Sequence, residues 1–167
     1  MEFTRKGKEV TYIHYGHTAF NPDKFGEVCN ERCWIKPTGG LWASPVDAER
    51  GWKDWCEDEN FRECTEDNSF KFTMRDPSRI FYIDSEAALK EFSERYGKSY
   101  WQIYGIARHD KSISSVDFEQ MLKDGWDGLE ISLSDYEALY RALYGWDCDS
   151  IVVLNKDAVM VEERVSV

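Results

Sequence analysis

Apolar positions along the chain change their period several times, and each change marks an element. From Glu9 to Tyr15 the run EVTYIHY is rich in β-branched and aromatic residues and predicts a strand over 9–15. Gly16-His17-Thr18 breaks it, and Asn21-Pro22-Asp23-Lys24 predicts a turn into a short helical segment. Residues 26–40 carry no period and end on Gly39-Gly40. Leu41-Trp42-Ala43-Ser44 is short and apolar, a strand. Ser44-Pro45 reads as a helix start, with Ser at the N-cap and Pro at the first helical position. Behind it Val46, Trp52, Trp55 and Cys56 recur at helical intervals.

Asp58 to Asp67 is acidic and predicts a loop. Phe70 and Phe72 then alternate with polar neighbours in a strand over 69–74, and a second strand is expected over 79–83. Ser85 caps a helix that runs through Tyr96 and stops at Gly97. Trp101 to Ile106 fits strand and helix equally. A helix is predicted over 115–123 and a strand over 129–132. Ser134-Asp135-Tyr136-Glu137 matches a capping box that opens a helix to Tyr144. Strands over 151–154 and 158–161 flank Asn155-Lys156-Asp157, which suggests a hairpin. Strands and helices mix without regular alternation, which favours an α+β fold over a doubly wound parallel sheet.

The chain has 167 residues, no internal repeat and no Pro/Gly/Ser-rich linker, so a single domain over 1–167 is expected. Seven Trp, nine Tyr and nine Phe exclude disorder despite 32% charged residues. With 32 acidic and 21 basic side chains the net charge is −11, which disfavours binding to a nucleic-acid backbone but leaves room for an anion in a local pocket. No apolar run suffices to span a bilayer, and no apolar segment follows the basic start, so no membrane association and a cytoplasmic location are expected. Five cysteines cannot all pair with one another and are expected to be reduced thiols. His14-x2-His17 with Cys29-x3-Cys33 has the makings of a zinc site. The Cys pair lacks a tight CxxC knuckle, however, and residues three apart on a strand point to opposite faces, so no metal is expected. His109 has no partner pattern and is expected to be exposed.

Three segments carry candidate chemistry: Tyr12-Ile-His-Tyr-Gly-His-Thr18, Gly39-Gly-Leu-Trp-Ala-Ser-Pro45 and Trp146-Asp-Cys-Asp-Ser-Ile-Val-Val-Leu-Asn155. An aromatic ring on a glycine-flanked strand can stack on a flat, partly cationic ring. Backbone beside glycine approaches a ligand closely because no Cβ intervenes. A histidine at a strand end can hydrogen-bond a hydroxyl. A carboxylate at the rim can stabilise positive charge at an anomeric carbon.

In order and local wording these segments resemble the ADP-ribosyltransferase superfamily, on its diphtheria-toxin and poly(ADP-ribose) polymerase side. That family carries an H-G-[ST] motif on a first strand and a Gly-x-Tyr-Phe-Ala-type strand. A helix with a second aromatic follows, and a late Glu precedes an apolar strand. Gly40-Leu-Trp-Ala-Ser44 is similar to the second motif with Trp42 in place of Tyr, and Trp52 or Trp55 stands for the second aromatic. Asp149-Ser-Ile-Val-Val153 is similar to the third with Asp for Glu, and Glu130 is an alternative acid. For the first motif, His14-Tyr-Gly16 and His17-Thr18 compete. The matches leave the middle third of the chain uncovered.

The resemblance implies a split pair of small antiparallel sheets with flanking helices, and NAD as substrate. It further implies that His14 or His17 orients the nicotinamide ribose, that Trp42 and Trp52 or Trp55 sandwich the ring, and that Thr18, Gly40 and Ser44 line the cleft. Asp149 or Glu130, with His14, would serve transfer of ADP-ribose to an acceptor. Asp for Glu shortens the side chain by one methylene, and a misplacement of about 1 Å costs ~100-fold in rate. The alternative is therefore an inactive module on the same scaffold, binding an ADP-ribose-like nucleotide or a protein. An acidic nucleic-acid mimic is a third reading, motivated by net charge alone.

Overall fold

The computed structural model describes residues 3–5, 10–31, 35–98, 113–133, 142–143 and 145–161. The expected elements at Glu9, Cys33, 101–106 and His109, and nearly all of the helix from Ser134, lie outside the described residues. Ten strands and three helices follow in chain order among those described. They are β1 (Thr4–Arg5), β2 (Tyr12–Tyr15), β3 (Leu41–Pro45), α1 (Trp52–Asp58), β4 (Ser69–Met74), β5 (Ile80–Ile83), α2 (Glu86–Tyr96), β6 (Gly97–Lys98), β7 (Ser115–Val116), α3 (Phe118–Lys123), β8 (Gly128–Ile131), β9 (Ser150–Val153) and β10 (Val159–Val161). The fold is a mixed α+β domain, as the irregular alternation implies, but its strands join in one large curled sheet rather than in a split pair of small antiparallel ones.

Eight strands form that sheet in the order β1-β5-β8-β9-β3-β2-β4-β10, and β6 pairs with β7 apart from it. Only β5 and β8 run parallel within the sheet, joined by a crossover through α2 and α3. Alternation of side chains gives each face its own core. Phe81, Leu129 and Val152 pack with Phe92, Met121, Trp126 and Trp146 on the helix side. Tyr12, Phe70, Phe72, Leu41, Ala43 and Ile151 pack on the other.

Strand β2 pairs with β3 over only two positions, Tyr12 with Pro45 and Ile13 with Ser44, and the two then diverge. The side chain of His14 reaches across that divergence to the carbonyl of Trp42 at 2.6 Å, supplying the hydrogen bond that a continuing ladder would have made.

Several local expectations are corrected. Ser44 and Pro45 do not start a helix: they finish β3, and Val46 is an exposed turn residue. Gly51 caps α1 instead, its N–H bonded to Asp54 Oδ2 at 2.9 Å. Ser44 nevertheless caps α1 in space, because its Oγ accepts from the Trp52 N–H at 2.8 Å. The helix expected over 115–123 begins later, with Asp117 as N-cap, because Ser115 and Val116 pair with Gly97 and Lys98. The hairpin expected at Asn155 does not form. A 3-10 turn capped by the Asn155 side chain carries the chain from β9 across to β10, which pairs with β4. Gly39 and Gly40 have φ of +79° and +81°. A Cβ on Gly39 would lie 2.4 Å from the Glu27 carbonyl oxygen, so its freedom serves packing within the chain rather than approach to a ligand.

Candidate functional site

The divergence of β2 and β3 opens two adjoining clefts that share His14 and Trp42. The smaller, ≈ 330 Å³, is walled by Trp42, Trp52 and Trp146, with Ser44, Cys148 and Ser150 on its floor and Lys36, Arg62 and Asp147 also lining it. The larger, ≈ 460 Å³, is bordered by His17, Thr18, Asn21, Lys24, Gly40 and Asn68 over Phe20, Phe25 and Phe70.

Trp42 is half-buried and packs on the buried Trp146 ring at 4.8 Å between centroids. That contact fixes its indole from one side and leaves an edge to both clefts. Trp52 stacks on Trp55 at 5.0 Å and 17°, and Phe61 stands against both. Two cations sit on these rings. Lys36 Nζ is 5.7 Å from the Trp42 ring centroid and 3.9 Å from the Asp147 carboxylate, and the Arg62 guanidinium is 5.9 Å from the Trp52 ring. In a chain of net charge −11, two cations against one carboxylate make this cleft locally positive.

His14 is held by the Trp42 carbonyl on one nitrogen and by His17 on the other, its Nε2 lying 2.9 Å from His17 Nδ1. Burial, with His17 beside it, lowers its pKa despite the carbonyl bond. Burial pushes the Cys148 thiol up to about 11, so this cleft-lining sulfur is held as a neutral thiol.

The acids expected to join this constellation stand elsewhere. Glu130 pairs with Ile151, which pairs with Ala43. Its side chain therefore lies on the Tyr12 face of the sheet, opposite Trp42 and Val152. There it is buried, accepting from the Tyr12 hydroxyl at 2.6 Å and from Arg5. Burial pushes the Glu130 carboxyl up to about 7, opposed by the Tyr12 and Arg5 bonds. Tyr12 itself is pushed upward by its burial and by Glu130. Asp149 is also buried, and its Oδ1 accepts from the Leu133 N–H at 2.6 Å. Both acids border a third, acid-lined hollow with Arg5, Asp47, Glu49 and Tyr82. The placement of Asp149 or Glu130 beside His14 and Trp42 is thus corrected: strand alternation turns Glu130 to the face opposite the Trp42 side chain, where Tyr12 and Arg5 hold it, and Asp149 bonds back to the chain just after β8.

Of the expected site residues, His14, Trp42, Ser44 and Trp52 meet at the smaller cleft, and His17, Thr18 and Gly40 join His14 and Trp42 at the larger. Trp55 backs Trp52 rather than lining the cleft. Sequence reasoning missed Lys24, Lys36 and Arg62, and it read the segment from Trp146 for its acids rather than for its indole. Lys36, next to the Pro37-Thr38-Gly39-Gly40 turn, is the one of these with a readable signal. Among the described residues no group of three or more His, Cys, Asp or Glu is arranged to hold a metal ion, and no helix is long and apolar enough to cross a membrane. Cys29, Cys56, Cys64 and Cys148 are free thiols. Compared with protein-family models, curated proteins and solved structures, the chain matches none.

Proposed function

We propose that this chain is a nucleotide-binding domain of ADP-ribosyltransferase-like architecture, which holds an NAD- or ADP-ribose-type ligand where β2 and β3 diverge and does so without transferring ADP-ribose. The observation that carries this reading is the His14 bridge to the Trp42 backbone carbonyl, which fixes a histidine at the junction of two clefts that the Trp42 indole also lines. The smaller cleft offers rings for a flat base and the cations Lys36 and Arg62 for phosphate oxygens. Adjacency supports the architecture, since the strands bearing the three family-like motifs, β2, β3 and β9, are neighbours in the sheet.

Absence of transfer follows from the acids. Glu130 and Asp149 are buried in structural hydrogen bonds away from the Trp42 ring. In strand register Ser150 faces Ser44 on the cleft side, and a hydroxyl there cannot stabilise an oxocarbenium ion as a carboxylate does. A second reading, transfer, rests on Asp147, the carboxylate that does line the smaller cleft.

Calorimetric titration with NAD and with ADP-ribose, alongside an assay for released nicotinamide, tests both. Binding without release is expected. Release that is lost in Asp147→Asn supports transfer instead, and no binding of either ligand overturns the nucleotide reading.

A further inference from the structure

Two of the three histidines form a pair that the nucleotide reading does not use in full. Gly16, at φ +116°, turns the chain at the end of β2, and His17 faces the edge of His14. The rings meet edge to edge and nearly coplanar, their centroids 5.2 Å apart and their planes at 19°, with His14 Nε2 and His17 Nδ1 2.9 Å apart.

The protons on this chain of contacts are fixed by elimination. A carbonyl oxygen only accepts, so His14 Nδ1 carries a hydrogen and donates it to Trp42. A neutral imidazole has one N–H, so His14 Nε2 is a lone pair. His17 Nδ1 must then be the donor across the 2.9 Å contact, which leaves His17 Nε2 as a lone pair as well. His17 is exposed and borders the larger cleft.

We propose that His14 and His17 form a tautomer-locked pair, anchored on the Trp42 carbonyl, that presents the His17 Nε2 lone pair to the larger cleft and takes up one proton rather than two. A proton arriving at His17 Nε2 leaves both existing hydrogen bonds intact. A second, at His14 Nε2, would set N–H against N–H across the same contact and break the pair. The burial of His14 works in the same direction.

His17 is therefore a specificity-determining residue with two settings. In the neutral pair its Nε2 accepts from a ligand hydroxyl. In the protonated pair it donates, and joins Lys24 in favouring an anionic oxygen. Among the described residues, the other charged groups lining these clefts are Lys36, Arg62 and Asp147 in the smaller one, where Tyr15 and Cys148 are the remaining titratable groups. Only the identity of the ligand rests on the nucleotide reading; the lock and its proton count do not.

The test uses the ligand-free protein. Long-range proton–nitrogen NMR on histidine-labelled protein, from about pH 8 to about pH 5, reads each tautomer directly. Both rings are expected as the Nδ1–H form at the upper end, with His14 staying neutral while the pair gains one proton. An Nε2–H signal from either neutral ring, or full protonation of both over this range, overturns the proposal. In His14→Phe, which keeps an aromatic ring but removes the accepting nitrogen, His17 should lose its preference for Nδ1–H. Should that variant not fold, the wild-type spectra decide alone. Sulfate, whose charge is constant over this range, serves as the anion probe. It should bind about tenfold more tightly near the lower end than near the upper, the scale of a charged hydrogen bond, and His17→Ala should remove that ratio. Equal sulfate affinity at both ends in the wild type overturns the switch while leaving the nucleotide reading to its own titration.

Discussion

The Glu130 hollow and the His14–Trp42 clefts flank the same strands yet treat polar groups in opposite ways. Around Glu130, each carboxylate oxygen has a donor, Tyr12 on one and Arg5 on the other. Around His14 the chain of hydrogen bonds ends on an exposed imidazole, and two cations rest on aromatic rings. A buried acid with a perturbed pKa is not by that fact an active-site acid. Here it is the group already answered by the protein, whereas the unanswered groups lie on the side where a ligand can reach them.

The sharpest way to break this contrast is Glu130→Ala. It leaves the Tyr12 hydroxyl buried without its acceptor and Arg5 without its counter-ion, and should cost about 3–5 kcal/mol of stability in urea unfolding. Nucleotide affinity of the folded fraction should not change. Loss of binding by a fully folded variant would place Glu130 in the ligand site and dissolve the comparison.

The two regions should also titrate in opposite senses. Glu130 has a folded pKa raised from 4.5 to about 7, so its contribution to stability is complete below 4.5 and is lost as pH rises through 7. His14 has a folded pKa lowered from 6.5, so the unfolded chain binds that proton first and stability is lost as pH falls below 6.5. Chemical denaturation across this range should show Glu130→Gln removing the neutral-side loss and His14→Phe removing the acid-side loss. Identical profiles for wild type and both variants would refute the assignment.

Trp42→Phe should weaken binding of an NAD-type ligand by ~1 kcal/mol, the scale of one aromatic contact. Its packing on Trp146 predicts a simultaneous loss of stability of similar size. Lowered stability with unchanged affinity would make Trp42 a core residue only. The smallest effects belong to Lys36→Ala and Arg62→Ala, about 0.5 kcal/mol each in ligand affinity and fading with added salt. An effect on affinity insensitive to salt would mean that their stems, not their charges, matter.

Much of the scaffold was legible because periodicity carries it. The alternation at Phe70 and Phe72, the run at Tyr12–Tyr15 and the Ser85 cap all became the expected elements. Trp42 was legible for the same reason, as an aromatic between a glycine turn and a polar strand end. What failed was long-range. Ser44-Pro45 has a helix-start signature, but a strand register through Ala43 and Ile151 held those residues extended, and tertiary pairing outweighed local preference. Asn155-Lys156-Asp157 has hairpin wording, but β9 already has neighbours on both edges, β3 and β8, and had no free side for β10. The acids failed on parity: which face Glu130 occupies depends on a register that the sequence does not state, and a shift of one residue would have reversed it.

The crossing at Asn155 has a consequence for synthesis. Strand β4 takes β2 on one side early, but its other side is closed only by β10, whose residues are 159–161. As the chain emerges from the ribosome, Phe72, Thr73 and Met74 therefore present an uncovered backbone edge until nearly all the residues between have been made. Such an edge is a template for pairing with a second nascent chain. A slow stretch of translation just before residue 159 would prolong that exposure, and the yield of native protein should fall with it.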